Sequence, residues 1–359
     1  MNLTVRERVK AFCERFDTRL PILLAPMAGA SAPPLSIAVM RAGGAGACGA
    51  LTMTPDRIHE WTATVRAASD GPFQVNLWIP DPPPVRDADA EARVRAFLAS
   101  WGPAAPEHAG DAVPPDFRGQ CDALLAAAPP IVSSVMGVYP PAFVAALKVR
   151  RIAWFAVVST VRDARIAEAA GADVIVAQGM EAGGHRAAFD AAAAERELVG
   201  LFSLLPAIVD AVRVPVVATG GIADGRGVAA ALALGASAVQ IGTAFLRCPE
   251  SGIHPSWAAA LGTAAPEDTI VSRVFSGRAG RSLTTAYVRA ATASDAPTPA
   301  AYPVQRGLTA AMRADALRTG DADRMQAWAG QSARLGRAEP AAKMTARLWE
   351  DAQALLGLH

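Results

Sequence analysis

Residues 214–245 read VPVVATGGIADGRGVAAALALGASAVQIGTAF. Val214–Thr219 is a β-branched apolar run that ends on two glycines. Gly225–Leu234 carries small and apolar residues at helical spacing, Gly235 ends it, and Ala238–Phe245 is a second apolar run. Strand, helix and strand of this kind form a parallel β/α unit, and a strand that is apolar on both faces is covered on both sides. Val228–Leu246 has no charged residue and is nominally long enough to span a bilayer, but its alanine, its glycine and the split at Gly235 favour the helix and strand.

The same unit recurs outward from this stretch. Ile22–Met27, Gly46–Ala50, Phe73–Ile79, Ile131–Met136, Ile152–Val158 and Val174–Gln178 read as further buried strands. Leu35–Ala42, Pro55–Ala68, Pro141–Val149, Val161–Ala170 and Leu201–Val212 read as helices between them. With the pair in 214–245 this makes eight strands, which predicts an α/β fold closed as a (β/α)8 barrel rather than an open doubly wound sheet. A G-x-G-x-x-G match at Gly44, Gly46 and Gly49 follows a helix and enters a strand, the reverse of a dinucleotide fingerprint, and reads as a chance match.

Two segments break the repeat. Residues 80–119 are proline-rich around one helical stretch and read as a loop and helix inserted after the third strand, laid over the barrel as a lid. After Phe245 the strand pattern ends, so the expected organisation is a barrel over 1–248 and a mainly helical C-terminal extension over 249–359 that packs on it. The chain has 359 residues, of which 52% are hydrophobic, enough for one barrel with additions. Lys+Arg (34) and Asp+Glu (33) nearly cancel, so no global field points to nucleic acid or a membrane surface. Cys13, Cys48, Cys121 and Cys248 form no CxxC pair and read as free thiols of a reducing compartment. The first residues lack the apolar core of a signal peptide. The expected location is cytoplasmic, with small molecules as partners and no metal.

Function in such barrels sits at the carboxyl ends of the strands. Gly220 and Gly221 end one strand, and Gly242 and Thr243 follow Gln240 on the next. Together they offer backbone amides and a hydroxyl suited to a phosphate. Val174–Gln178 leads into Gly-Met-Glu-Ala-Gly-Gly-His-Arg. Gln178 can meet the edge of a flat heterocycle, Gly183 and Gly184 leave room for a ring, and His185 is placed to face whatever lies on that ring. Asn76 is a polar residue inside an apolar strand and needs a partner, either a cofactor or a bond within the barrel. Ala25, Pro26 and Met27 end the first strand with a small, flat surface, and the Met27 thioether can press on a ring.

Taken together, APMAG (25–29), VNL (75–77), VSSVMG (132–137), QGMEAGGH (178–185), VVATGGIADG (216–225), QIGT (240–243), FSGR (275–278) and AWAGQSARLGR (327–337) resemble the nitronate monooxygenase family, formerly 2-nitropropane dioxygenases. The resemblance runs over almost the whole chain. It implies an FMN-dependent barrel that oxidises alkyl nitronates, such as propionate 3-nitronate, with dioxygen to a carbonyl compound and nitrite or nitrate. It also implies His185 as the catalytic residue, and FMN contacts at Ala25, Pro26, Met27, Asn76, Gln178, Gly183, Gly220, Gly221, Gln240, Gly242 and Thr243. Three places depart from the common family pattern and are expected to bear on the substrate pocket: Ala30 after PMAG, Ala187 after Arg186, and Val135-Met136-Gly137 on the fourth strand. The alternatives on the same scaffold are a flavin-dependent NAD(P)H enoyl reductase and another flavin oxidoreductase. An IMP dehydrogenase-like reaction would need a loop cysteine, for which Cys248 before Pro249 is poorly placed. A flavin-binding protein without turnover is the reading from a different class.

Overall fold

The structure is a computed structural model that describes residues 3–358. Eight parallel strands form its centre: β1 (Ile22–Leu24), β2 (Gly46–Gly49), β3 (Phe73–Trp78), β4 (Ile131–Val135), β5 (Ala153–Val158), β6 (Val174–Gln178), β8 (Val216–Thr219) and β9 (Ala238–Ile241). A two-residue strand, β7 (Gly184–His185), lies outside this sheet. The order β1-β9-β8-β6-β5-β4-β3-β2 closes on itself where Ala45 N donates to Ile22 O at 3.0 Å and Leu24 N donates to Ala45 O at 2.9 Å. The expected (β/α)8 barrel is therefore present, with each expected strand a residue or more shorter or equal in length.

Alternation along the strands divides the core in two. Ile22, Leu24, Val75, Leu77, Val132, Ile175 and Val239 point outward to the ring of helices. Leu23, Ile131, Phe155, Val157, Val174, Val176, Val217 and Ala238 point inward. The interior is graded: its amino end is apolar, whereas Gln74, Asn76, Ser133, Gln178, Thr219 and Gln240 make the carboxyl half polar, and all six are buried. The helix Val5–Phe16 closes the apolar end. Thr4 and Glu7 form a capping box at its start, and its i, i+4 pair Phe12 and Phe16 meets Phe155 at ring distances of 6.3 and 4.9 Å. The plug leaves the opposite end as the open one.

The charge-free stretch around Gly235 folds as the helix Gly225–Ala233 and β9, and no helix among the described residues is long and apolar enough to cross a membrane. The glycines of the G-x-G-x-x-G match lie before and within β2, where a Cβ on Gly46 would press on Met40 and one on Gly49 would strike the Ala28 amide. They serve close packing.

The inserted segment carries the helix Ala88–Leu98 and a 3₁₀ turn at Glu107–Asp111. Val94 and Leu98 share an apolar cluster with Val274, Phe275, Tyr287, Val304, Leu308 and Met312, so the insertion and the extension have one core. The buried Arg278 ties the two further through an ion pair with Asp81. The extension carries helices at Pro255–Thr263, Ala286–Ala291, Val304–Leu308, Ala310–Thr319 and Ala341–Leu356, which together cover less than half of it, and it also contributes β10 (Thr269–Ser272) and β11 (Gly280–Leu283), which pair antiparallel. These strands did not show in the residue pattern because TIVS and GRSL are short and half polar. The last helix, Ala341–Leu356, lies between the helices Pro33–Ala42 and Gly225–Ala233 on the outside of the barrel.

Candidate active site

The polar end of the barrel opens into a cavity of about 390 Å³. Its floor is the carboxyl ends of the strands and its roof is the extension. All twelve residues singled out from the sequence line it: Ala25, Pro26 and Met27 after β1, Asn76 on β3, Gln178 and Gly183 at and after β6, His185, Gly220 and Gly221 after β8, and Gln240, Gly242 and Thr243 at the end of β9. They come from sites far apart in sequence, and barrel closure brings them together.

His185 is held by three partners. β7 pairs with β11, Gly280 opposite His185 and Arg281 opposite Gly184. Gln178 staples the loop from below, donating Nε2–H to His185 O at 3.1 Å and accepting the Ala187 amide on Oε1 at 2.9 Å. The amide expected to meet a heterocycle edge is thus engaged with the histidine loop. The ring itself packs against two indoles, edge-on to Trp78 and tilted to Trp328, each with ring centres 4.6 Å away.

The third partner is Ser276, whose Oγ lies 2.7 Å from His185 Nε2. The same hydroxyl lies 3.2 Å from Arg278 O, which can only accept. If Ser276 donates to that carbonyl, the neutral ring carries its proton on Nε2 and has a lone pair at Nδ1. If it donates to Nε2, the ring carries Nδ1–H. Burial, and secondarily the charges of Arg278 and Arg306, push the His185 pKa down to about 3. The imidazole is therefore neutral at ordinary pH.

At the other end, Gly220 and Gly221 adopt left-handed backbone, with φ of 106° and 70°. Among the described residues, the amides of Gly220, Gly221, Gly242 and Thr243 donate to no protein carbonyl. Such amides need a partner, and a run of them beside a helix start makes an anion cradle. The segment 327–332 straps this end to the histidine end. Gly330 N donates to Thr243 Oγ1 at 3.0 Å, and Ser332 Oγ donates to Gly221 O at 2.6 Å.

Between the two ends, Gln74 Nε2 donates to Gln240 Oε1 at 2.9 Å, while Gln240 Nε2 has no protein partner among the described residues. Asn76 finds a bond within the barrel, Nδ2 to Ser133 Oγ at 3.1 Å. Of the three departures from the family pattern, Ala30, Val135 and Met136 line the cavity. Ala187 does not, and packs into the barrel interior.

Residue chemistry alone did not single out Trp78, Trp328, Ser276, Arg306 or Arg313. Ser276 sits inside the FSGR motif and Trp328 inside AWAGQSARLGR, so the motifs held them. Nothing local shows that they reach a histidine 91 residues from Ser276.

Comparison with known proteins agrees with this arrangement. The family model described as nitronate monooxygenase matches residues 10–351. A nitronate monooxygenase from Paraburkholderia phytofirmans is 38% identical over 338 residues, which is 91% of each chain. The structure of a nitroalkane oxidase from Streptomyces ansochromogenes superposes with a TM-score of 0.87 at 36% identity, covering 96% of this chain and 99% of that one. FabK from Thermotoga maritima superposes with a TM-score of 0.75 at 28% identity and covers 97% of both. With similarity of this extent along nearly the whole barrel and its extension, the chain belongs to the nitronate monooxygenase family.

Proposed function

We propose that this protein is an FMN-dependent enzyme that oxidises alkyl nitronates with dioxygen to a carbonyl compound and nitrite or nitrate. The observation that carries this reading is the cavity's chemistry. It joins a neutral His185, packed against two indoles, to a cradle of unpartnered amides, and among the described residues its lining holds no carboxylate.

The residues present fit FMN. The amides of Gly220, Gly221, Gly242 and Thr243 would take its phosphate. Ala25, Pro26 and Met27, with Asn76, Gln178, Gly183 and Gln240, would lie along its ring system, where Gln240 Nε2 offers a free donor. FMN, when bound, supplies the electron acceptor that no side chain here provides.

The chain's own groups do the rest. Among the described residues that line the cavity none is a carboxylate, so no fixed negative charge there opposes an anion. Trp78 and Trp328 pack against the His185 ring and limit its rotation. The imidazole orients the nitronate through Nδ1–H when the Ser276 hydroxyl donates to Nε2. In the other tautomer its lone pair can accept a proton from a neutral nitroalkane. A base whose pKa lies near 3 is weak for that task, so this site is built for substrate that arrives already ionised.

The nearest other reading is a nicotinamide-dependent reductase on the same barrel, and the lower similarity to FabK than to the nitroalkane oxidase argues against it. The test is turnover by the purified protein with its flavin: oxygen uptake with nitrite formation from propionate 3-nitronate, little from the parent nitroalkane, and no oxidation of NADH or NADPH. Rapid nicotinamide oxidation with no nitrite would replace this reading by the reductase.

A further inference from the structure

Arg306 stands out among the cationic side chains near His185. Arg278 is neutralised by Asp81 and donates to Ala188 O at 2.7 Å. Arg313 is spent on the protein, donating to Thr309 Oγ1, to Gln326 Oε1 and to the Arg306 carbonyl at 3.1, 3.2 and 2.8 Å. The Arg306 guanidinium has no hydrogen bond or ion pair among the described residues, yet it is half-buried and lines the cavity. Its charge is felt at His185 and at Tyr302, whose ring packs on Trp78. That places it at the histidine end, whereas the unpartnered amides are at the ends of β8 and β9.

A half-buried guanidinium that faces the cavity, with no acceptor for it among the described residues, leaves its donors free for a ligand. Its planar fork of donors matches a carboxylate in two-point contact. We propose that Arg306 is a specificity-determining residue that pairs with a second anionic group on the substrate, a carboxylate on the carbon chain of the nitronate. Arg313 acts as its positioning residue by holding the Arg306 backbone. The inference rests on the nitronate reading of the site and adds to it a preference among nitronates.

The test uses the flavin-loaded protein and its Arg306→Gln and Arg306→Lys variants. Propionate 3-nitronate is compared with propyl-1-nitronate, which has a methyl group in place of the carboxylate. Arg306→Gln is expected to lower kcat/KM for the carboxylated nitronate by about 10- to 100-fold, mainly through KM. The neutral-tailed nitronate should change little, and Lys should restore part of the loss. Calorimetry with succinate and butyrate, a dianion and monoanion of matching length, should show the wild type favouring succinate and Arg306→Gln losing that preference.

Equal losses on both nitronates would overturn the proposal by assigning Arg306 to the reacting group. Weakened FMN retention would overturn it by assigning Arg306 to the cofactor phosphate, and an unchanged variant would overturn it outright. If the wild type turns over neither nitronate but still discriminates succinate from butyrate through Arg306, the anion site stands and the nitronate reading is what fails.

Discussion

Replacing His185 with Asn should make the protein less sensitive to mild acid, even as it removes a residue of the active site. In the folded chain burial and the nearby arginines hold the His185 pKa to about 3, against an ordinary value of 6.5. Between these values the unfolded chain binds a proton that the folded chain refuses. Stability therefore falls as pH drops below about 6.5, and this contribution levels off only near about pH 3. From about pH 6.5 to about pH 5 the loss is about 1.5 units at about 1.36 kcal/mol each, or about 2 kcal/mol. His185 is only partly buried and lines the cavity, where water would screen some of the penalty, so about 1–2 kcal/mol is the expected size. The figure at pH 5 hardly depends on how far below 4 the folded pKa lies. The assay is urea unfolding of wild type and His185→Asn at about pH 7 and about pH 5. The protein has five histidines. The other four are common to both chains and cancel in the double difference. Wild type should lose about 1–2 kcal/mol more than the variant on acidification. Equal losses would show that His185 titrates normally, and would refute both the lowering of its pKa by the fold and the argument that it is too weak a base for neutral nitroalkanes.

Three further changes probe other parts of the account. Ser276→Ala removes the 2.7 Å contact to His185 Nε2; it should cost about 1 kcal/mol of stability and lower kcat on nitronates about tenfold, and an unchanged kcat would remove Ser276 from any part in holding the ring. Gly220→Ala forces a side chain onto a backbone with φ of 106° and brings a Cβ to 3.1 Å from Gly179 O. It should cost about 1–2 kcal/mol and strip flavin from the purified protein, as absorbance per chain would show, whereas full flavin content would count against the phosphate cradle. Phe12→Ala opens the plug at the barrel's apolar end, where Phe12 is 2% exposed; denaturant unfolding should show a loss of about 3–5 kcal/mol with the flavin site intact.

The barrel was legible in the sequence because parallel strands buried on both faces are apolar for most of their length, as in Ile175, Val176 and Ala177 or Val216, Val217 and Ala218. The glycines at strand ends were legible for a different reason: a backbone demand places Gly220 beside Gly221, both at positive φ. What the residues could not reveal was which bonds the polar groups choose. Gln178 looked free for a ligand, but Ala187 N and His185 O claim it. The strands β10 and β11 were hidden because four-residue antiparallel segments with serine and arginine carry no distinctive period. The indoles that flank His185 come from β3 and from a strap near the C-terminus, a proximity that only the closed fold creates.

The central claim is that the cavity delivers a nitronate to a bound flavin. The most direct test mixes the purified yellow protein with propionate 3-nitronate without oxygen and follows the flavin absorbance. The account predicts loss of the yellow absorbance on mixing and its return when oxygen is admitted, with nitrite released. A spectrum that stays unchanged with nitronate in excess would contradict it.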